Sequence, residues 1–412
     1  NKIIQMSVVT GLTLASLKGR FINMPRPLNL LIITEVLFVI YLDNAATTGR
    51  KPAGVIKAVD LSLRELSANP GRSGHTPSLK AADAVYSVRE KTAELFGASG
   101  AENVVFTLNC THSINCVIKG VLKTGEHAVT SSLEHNSVMR PLIKEEIPFD
   151  TAYVSLTDDR ITLREFERKI RRDTGLVICT GASNVLGKTL PIAEIGALCK
   201  ERGVLFAVDA AQIAGVIPVN MREMNIDYLC IAPHKGLYAP MGIGVLICEK
   251  PIENTIIEGG TGTNSAELVQ PETLPERLES GTVNLPAIMG VSAGIDYIKK
   301  IGIEKIYAHE MRLIRYLYNE LSKIERVQLY TPEPRDGIYA PVLSFNIYGK
   351  TSAEVSQFLN EKGIAVRGGL HCAPSAHRQI GTLERGTVRV SVAAFNTPAE
   401  IGGLIKAIRH IG

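Results

Sequence analysis

The sequence of 412 residues lacks tryptophan altogether, has no long apolar segment and shows no run of basic residues. Its most apolar segment, residues 28–40, is interrupted by Asn29 and Glu35 and is shorter than the roughly 20 residues that a membrane helix needs. The formal net charge is only +4, whereas a nucleic-acid-binding domain usually carries a concentrated basic patch. We therefore expect neither a membrane span nor a nucleic-acid partner.

Paired cysteines are also missing. The seven cysteines are spread singly, without a C-x-x-C pair, and their number is odd. Disulfide frameworks and structural zinc sites rely on paired cysteines, so we expect neither of these, nor any other metal site. Free thiols are typical of a reducing cytoplasm, which is the location we predict. The cysteines are Cys110, Cys116, Cys179, Cys199, Cys230, Cys248 and Cys372.

The order of predicted elements indicates an α/β protein. Up to about residue 281, short runs rich in Val and Ile alternate with amphipathic helices, which is typical of a mostly parallel sheet covered by helices on both faces. We place this large domain at residues 40–285 and a smaller α+β domain at 286–412, and expect 41–54 to pack on the small domain. Residues 1–39 are interpreted as an extension of unknown role.

The predicted elements can be stated individually. The strands are 104–107, 127–131, 176–180, 205–208, 228–231 and 243–247 in the large domain, and 341–347, 365–367 and 387–392 in the small one. The helices include 113–122, 137–146, 192–202, 287–301, 304–324 and about 398–411. The sequence shows no internal repeat and no low-complexity tract.

Two predicted strands end in polar residues that suit a cofactor site. One strand is followed by Asp209 and Gln212, and the next by His234 and Lys235. Taken alone, a lysine after a strand is usually a solvated surface residue, and an aspartate there is usually a helix cap. Because ligands of parallel sheets bind beyond the carboxyl ends of the strands, the four residues together indicate a bound cofactor.

The cofactor that these residues suit is pyridoxal 5′-phosphate (PLP). It needs an amine for an imine bond, a carboxylate at the pyridine nitrogen and a cradle for the phosphate. Lys235 supplies the amine, and we expect burial to lower its pKa. Asp209 supplies the carboxylate. Cys110 and Thr111 lie in residues 108–113, which lead from strand 104–107 into the predicted helix, and backbone N–H groups at such a helix start can bind a phosphate; a threonine there is otherwise an ordinary cap.

Nine segments between residues 41 and 412 extend this pattern. They are YLDNAATT (41–48), FTLNCTHSIN (106–115), LEHNSV (133–138), SNVLG (183–187), DAAQ (209–212), HK (234–235), ESGTVN (279–284), RGGLHCAP (367–374) and TVRVSVAAFNT (387–397). In this order they resemble the class V aminotransferase family of PLP fold type I, and within it the cysteine desulfurases.

The resemblance implies roles for side chains around the cofactor. His135 is similar to the aromatic residue that stacks on the PLP ring and takes part in catalysis. Asn184 resembles a side chain that contacts the ring hydroxyl side and the substrate, and Gln212 resembles the hydrogen-bond partner of the ring hydroxyl. His234 and Thr111 resemble contacts to the phosphate.

Further implied roles concern the substrate and a second subunit. Arg389 resembles the anchor of the substrate carboxylate, a task suited to a bidentate guanidinium, and Arg367 assists it. Thr282 resembles a phosphate contact that the other subunit of a homodimer donates, so a homodimer is expected. Two places depart from the family: Ala232 replaces a common serine, and residues 109–112 read Asn-Cys-Thr-His where many relatives have Gly or Ala, Thr and Glu.

Cys372 decides which reaction we predict. It lies in a Gly-rich turn beside Arg367, His371 and His377, where a thiol can be exposed, mobile and partly ionised. Such a thiolate takes the sulfur of bound L-cysteine as a persulfide and leaves L-alanine. Sixteen residues separate Cys372 from Arg389. This spacing resembles the short-loop group of desulfurases, whose members pass sulfur to an acceptor protein.

Other interpretations stay open at this point. An aminotransferase or a β-lyase would use Lys235, Asp209 and Arg389 and leave Cys372 idle, and a selenocysteine lyase would use the same residues as a desulfurase. Cys372 can also be a buried loop cysteine, or a metal ligand together with His377. A non-catalytic scaffold would usually lack the lysine or the aspartate. The pathway served, for example iron–sulfur cluster assembly or tRNA thiolation, is not written in the sequence.

Overall fold

The computed structural model describes residues 39–263 and 265–411, so most of the predicted extension lies outside the described residues. Its strands are β1 (Ile40–Tyr41), β2 (Val104–Thr107), β3 (His127–Ser131), β4 (Phe149–Ala152), β5 (Thr174–Thr180), β6 (Leu205–Asp209), β7 (Tyr228–Ile231), β8 (Gly244–Cys248), β9 (Val327–Leu329), β10 (Val342–Ile347), β11 (Ile364–Ala365), β12 (Arg367–Gly369) and β13 (Thr387–Ser391).

The α-helices of the described residues alternate with these strands. They are α1 (Ala53–Glu65), α2 (Thr76–Phe96), α3 (Cys110–Val121), α4 (Asn136–Lys144), α5 (Asp159–Lys169), α6 (Ile192–Arg202), α7 (Leu285–Ile301), α8 (Ile303–Leu321), α9 (Ser352–Glu361), α10 (Pro374–Gln379) and α11 (Pro398–Arg409). None of them is both long and apolar enough to cross a bilayer.

The main sheet has seven strands in the order β2-β8-β7-β6-β5-β3-β4. Strands β2, β3, β4, β5, β6 and β7 run in the same direction, and β8 runs in the opposite direction between β2 and β7. The carboxyl ends of β2, β6 and β7 therefore point to the same edge of the sheet. The segments that directly follow these three strands therefore all begin at that edge.

Burial on both faces explains why the central strands are almost wholly apolar. Successive side chains of a strand point to opposite faces. In β6, Phe206 and Val208 pack on one side of the sheet, whereas Ala207 packs on the other. Helices cover both sides, with Val117 of α3 on the Ala207 side and Val291 of α7 on the Phe206 side. Such a sheet needs no polar alternation.

A second, antiparallel sheet is formed by the last part of the chain, in the order β12-β13-β10-β9. The segment after β1 joins it, because Asp43 bridges to Ser391 at the end of β13. The predicted strand 365–367 is wrong as a single element. The chain changes sheets there: Ile364–Ala365 pairs with β1, and Arg367–Gly369 pairs with β13.

The predicted α/β architecture is confirmed, with a mostly parallel sheet and a smaller antiparallel one. Most errors are shifts at element ends. The third helix begins at Cys110 rather than at Ser113, because the Asn109 side chain accepts a hydrogen bond from the His112 N–H and caps the helix three residues earlier. Strands β4 and β9 were missed, since both are short and only partly buried. The division into two domains near residue 285 stays a prediction.

Candidate active site

Lys235 lies in a tight turn that follows β7. Its N–H donates to the carbonyl of Ala232 at 3.1 Å, and its own carbonyl accepts from the N–H of Tyr238 at 3.0 Å. Gly236 is required there, because a Cβ at this position would meet the carbonyl oxygen of Ala214 at 2.3 Å. Burial lowers the pKa of the Lys235 ammonium, which is the direction that the sequence predicts, although the nearby Asp209 opposes the shift.

Asp209 ends β6 and faces Lys235 from the neighbouring strand. Both hydrogen bonds that described residues donate to its carboxylate reach Oδ1, one from the Ala211 N–H at 3.0 Å and one from the Cys110 thiol at 3.6 Å. The carboxylate is almost fully buried. Burial, with Asp209 adding to it, raises the pKa of the Cys110 thiol well above its usual value. The structure thus brings Cys110, Asp209 and Lys235 together.

The N-terminus of α3 lies at the same edge of the sheet. The N–H groups of Cys110 and Thr111, its first two residues, have no acceptor within the helix. The Asn109 side chain takes the N–H of His112 at 2.9 Å instead. The Thr111 side chain is exposed. The helix therefore offers free backbone donors and a positive dipole end beside Lys235.

His234 is neutral, since burial lowers its pKa to about 4. Its buried Nδ1 has no hydrogen-bond partner among the described residues. Its carbonyl oxygen is held by the segment after β1, accepting from the Thr48 hydroxyl at 3.0 Å and from the Lys51 ammonium at 3.1 Å. Because buried polar atoms are normally hydrogen-bonded, this ring nitrogen is a position where a bound ligand could supply the missing hydrogen-bond partner.

His135 caps the N-terminus of α4. Its Nδ1 accepts a hydrogen bond from the Ser137 N–H at 3.1 Å, so the neutral ring carries its proton on Nε2. Burial lowers the pKa of this imidazole, and its charged neighbours include Asp209, Lys235 and Arg367. His135 therefore lies beside the residues that are predicted to bind the cofactor, Asp209 and Lys235.

Arg389 lies in the middle of β13 and is 1% exposed. One η nitrogen donates to the carbonyl of Asn184 at 3.0 Å, and the other forms an ion pair with Asp43 at 2.5 Å. Arg367 is its register partner across β12 and β13. The Asn184 side chain donates away from the arginine, to the carbonyl of His371 at 2.7 Å.

Cys372 follows β12 and is the only exposed cysteine of the chain. Both it and His371 have left-handed backbone conformations, with φ of 58° and 50°. Side chains seldom adopt this conformation unless the surroundings hold it. Here the Cys372 carbonyl accepts from the Asn136 N–H at 2.8 Å, and the Arg367 guanidinium lies 3.9 Å from Sγ. The backbone is therefore fixed, and the expected mobility is limited to the thiol side chain.

The two histidines near Cys372 are structural in this arrangement. His371 is buried, its Nε2 donates to the Thr387 carbonyl at 3.0 Å, and burial lowers its pKa to about 2. His377 contacts the Thr382 hydroxyl at 2.7 Å, and burial lowers its pKa to about 4. Within the described ranges, no group of His, Cys, Asp or Glu side chains is arranged to bind a metal.

Two predicted residues have partners outside this cluster. The Gln212 amide donates to the carbonyl of Ala45 at 3.1 Å. Thr282 is exposed, and its hydroxyl accepts from the Asn69 amide at 3.5 Å rather than from a residue near Lys235. The structure of the single chain therefore leaves Thr282 apart from the cluster.

Sequence reasoning missed two groups in the centre. Asp43 lies in the motif YLDNAATT (41–48), but no role was predicted for it, and no local signal pairs it with Arg389, which lies 346 positions away. Glu134 is wholly buried, accepts from the Thr180 N–H at 2.9 Å, and has its pKa raised to about 8 by burial. No local pattern marks a buried neutral carboxyl, because polar residues in loops are normally solvated.

Comparison with known proteins agrees with this geometry. The family model for class V aminotransferases matches residues 40–404. A probable cysteine desulfurase of Methanothermobacter thermautotrophicus is 34% identical over 382 residues, which are 90% of this chain and 94% of that protein. A probable cysteine desulfurase of Pyrococcus abyssi is 34% identical over 387 residues, with 90% and 94% covered.

Solved structures show the same likeness. The cysteine desulfurase of Thermococcus onnurineus is 32% identical, with a TM-score of 0.82, and the match covers 94% of this chain and 98% of that one. The cysteine desulfurase CsdA of Escherichia coli has a TM-score of 0.80 with the same coverage, and at 24% identity it supports the fold alone.

The chain belongs to the class V aminotransferase family and has the α/β architecture of PLP fold type I. Within that family, the two solved structures named above are cysteine desulfurases, and the two relatives bear the name probable cysteine desulfurase. The predicted family and fold class are confirmed.

Proposed function

We propose that this protein is a PLP-dependent cysteine desulfurase that converts L-cysteine to L-alanine and takes up the sulfur on Cys372. The observation that carries the proposal is the position of this thiol. Cys372 is exposed, yet its backbone carbonyl is tied to the helix that begins beside His135. An aminotransferase has no use for an exposed thiol held at the cofactor centre. The exposure also argues against the buried loop cysteine considered above.

The residues around Lys235 fit PLP. Lys235 would hold the aldehyde carbon, and Oδ2 of Asp209 would meet the pyridine nitrogen, since the hydrogen bonds from described residues end on Oδ1. The free N–H groups of Cys110 and Thr111 would hold the phosphate. The orphaned Nδ1 of His234 would gain a partner there, which removes an unfavourable buried polar atom.

Other roles remain part of the proposal. His135 would stack on the ring, because it faces Asp209 and Lys235. Gln212 would contact the ring hydroxyl, and Asn184 would contact the hydroxyl side of the ring and the substrate. Each side-chain amide now donates a hydrogen bond to a backbone carbonyl, which it would keep alongside the new contact or give up for it. Thr282 would reach a phosphate only across a homodimer, which its exposure and its position apart from the cluster support.

When bound, PLP supplies an electron sink for the bonds at the substrate α-carbon. Arg389 and Arg367 would bind the substrate carboxylate and thereby orient the amino acid. Because burial lowers its pKa, the Lys235 amine can accept the α-proton as a neutral base and return a proton later. His135, neutral and with its proton on Nε2, is placed to donate a hydrogen bond in the same centre.

The Cys372 thiolate then attacks the sulfur of the substrate. An S–S bond forms, the Cβ–S bond breaks, and its electron pair stays with the carbon skeleton, which takes up protons and leaves as L-alanine. Two equivalents of an added thiol reduce the persulfide, release sulfide and become a disulfide. The Arg367 guanidinium lies 3.9 Å from Sγ and would face the sulfur during this attack.

Sulfur would leave on an acceptor protein, because sixteen residues between Cys372 and Arg389 form a short tether and the backbone of the turn is fixed. The acceptor must therefore come to the thiol. The seven free cysteines support a reducing, cytoplasmic environment.

The proposal is tested by incubating the PLP-loaded protein with L-cysteine and dithiothreitol and measuring alanine and sulfide together. The native protein should form both in equal amounts. Cys372→Ala should lose both products and keep the absorbance of bound PLP. Cys199→Ala, which removes a buried thiol outside the site, is the matched control and should keep turnover.

Two other results would redirect the assignment. Sulfide accompanied by pyruvate would indicate a β-lyase. Transfer of the amino group to a keto acid without sulfide would indicate an aminotransferase, the alternative that the family name itself includes. Equal turnover by Cys372→Ala would remove the persulfide step. Comparing L-selenocysteine with L-cysteine under the same conditions tests the selenocysteine lyase alternative.

A further inference from the structure

Asp43 and Arg389 form a partly buried ion pair, of which the proposed function uses only the arginine. The Asp43 carboxylate lies 2.5 Å from Nη2 of Arg389 and is 20% exposed. The backbone around Asp43 is attached to the same strand, β13. Asp43 bridges to Ser391, and the N–H of Ala45 donates to the Ser391 hydroxyl at 2.8 Å. The backbone of Asp43 is therefore attached to β13 at Ser391, two residues after Arg389. This attachment holds the Asp43 carboxylate beside the arginine.

The guanidinium of Arg389 is only partly satisfied. It has five N–H groups in one rigid plane, and its two η nitrogens are held from different residues, Asp43 and Asn184. Because both are anchored, the plane of the group is fixed. Its buried Nε has no hydrogen-bond partner among the described residues. A buried donor without an acceptor is unfavourable, so the remaining N–H groups are ready for another oxygen ligand.

The charges around Arg389 match a single additional carboxylate. Arg367 lies opposite it in the strand register. Tyr41 is uncharged, because burial raises the pKa of its hydroxyl, and His371 is uncharged, because burial lowers its pKa to about 2. Two guanidinium groups and the Asp43 carboxylate leave one positive charge. Without Asp43, the buried Arg389 would lose its only close counter-charge among the described residues.

We propose that Asp43 is a positioning residue that fixes the guanidinium of Arg389 for the α-carboxylate of the substrate. The inference rests on the proposed function, since it takes Arg389 as the carboxylate anchor. Asp43 acts through Arg389 and does not itself touch the substrate. A substitution at Asp43 should therefore weaken the binding of ligands that have a carboxylate and leave the binding of ligands without one unchanged.

The test uses the PLP-loaded protein and two ligands, L-alanine and L-alaninamide, which lacks the carboxylate. The Kd of each is measured from the change in cofactor absorbance. Asp43→Ala should raise the Kd for L-alanine roughly tenfold and leave that for L-alaninamide within about twofold. Asp43→Asn keeps a hydrogen-bond acceptor and should restore the L-alanine Kd to within about threefold of native. Asp60→Ala, an exposed surface change, is the control and should alter neither.

Contrary results are equally specific. An equal rise for both ligands would show a general structural role and overturn the inference, as would an unchanged Kd for L-alanine. If Asp43→Ala does not fold, Asp43→Asn decides alone. The Kd for L-alanine divided by the Kd for L-alaninamide should still be larger in this variant than in the native protein. A native protein that takes up no PLP would contradict the proposed function as well, and this is seen before any variant is compared.

Discussion

The two thiols nearest the proposed cofactor lie in contrasting surroundings. Cys110, at the edge of the main sheet, is half-buried with its thiol donating to the Asp209 carboxylate, and burial of the sulfur raises its pKa well above the usual value. Cys372, in the turn after β12, is exposed beside the Arg367 guanidinium. The same side chain is thus kept as a neutral thiol in one region and exposed to solvent in the other, where the proposed function uses it as the nucleophile.

The comparison extends to the rest of each region. Around Lys235, burial shifts the pKa of the lysine downward and that of Glu134 upward. Around Cys372, a hydrogen bond from Asn136 holds the backbone, and the exposed thiol lies 3.9 Å from the Arg367 guanidinium. We infer that the buried region serves the cofactor chemistry, which needs a dry and rigid environment, whereas the turn serves sulfur transfer, which needs access from solvent.

The largest expected effect comes from removing the buried amine. Lys235→Ala should lower turnover of L-cysteine by roughly a thousandfold or more, because nucleophile and base are lost together. Release of alanine and sulfide measures the loss, and the absorbance of the lysine-bound cofactor should vanish with it. Lys57→Ala changes an exposed lysine and should keep full activity. A Lys235→Ala enzyme within tenfold of native would contradict the assignment.

The two thiols should differ in reactivity by a factor of about one hundred or more, since the thiolate is the reactive form and only Cys372 is exposed. Brief treatment of the native protein with iodoacetamide, followed by mass spectrometry of the peptides, measures both rates. The protein unfolded in urea is the control, in which the two rates should converge. Comparable labelling of Cys110 and Cys372 in the native protein would show that burial does not separate them.

A smaller effect should follow from loosening the turn. Asn136→Pro removes the N–H that holds the Cys372 carbonyl, and proline is tolerated at the first position of a helix. Losing one hydrogen bond of about 1 kcal/mol should slow sulfide release roughly fivefold. Hydrogen exchange of residues 370–373 should become faster. Asn136→Ala keeps the N–H and is the matched control, so equal slowing in both variants would point to the side chain instead.

The smallest effect concerns the pH dependence of stability. Folding raises the pKa of Glu134 to about 8, so between its ordinary value and pH 8 the folded protein binds one proton more than the unfolded chain. This group therefore makes the unfolding free energy fall as pH rises, by at most about 1.4 kcal/mol per pH unit. Glu134→Gln should flatten the fall.

Urea unfolding at about pH 5.5 and about pH 7.5 measures this slope. Glu65→Gln, a change on the exposed face of α1, should leave it as in the native protein. A Glu134→Gln slope equal to the native slope would mean that the carboxyl is ionised in the folded state.

The sequence alone was sufficient wherever the signal is local. Strands 104–107, 127–131 and 228–231 were predicted to the residue, because each is a short run with apolar residues that begins directly after Asn103, Glu126 or Asp227. Lys235 and Asp209 could be placed in one site because both follow strands whose carboxyl ends meet at one edge. The family resemblance supplied most of the remaining candidates, and the match over residues 40–404 confirms that family.

Only the tertiary structure decided contacts between distant parts of the chain. The ion pair of Asp43 and Arg389 joins residues 346 positions apart. The hydrogen bond between Asn136 and Cys372 joins the helix that follows β3 of the main sheet to the turn that follows β12 of the second sheet. Neither contact has a periodic or local signature, since it depends on where separate strands end in space. The sequence therefore determined which elements and chemical groups this protein has. Folding decided which of those groups are buried, paired or left free to react.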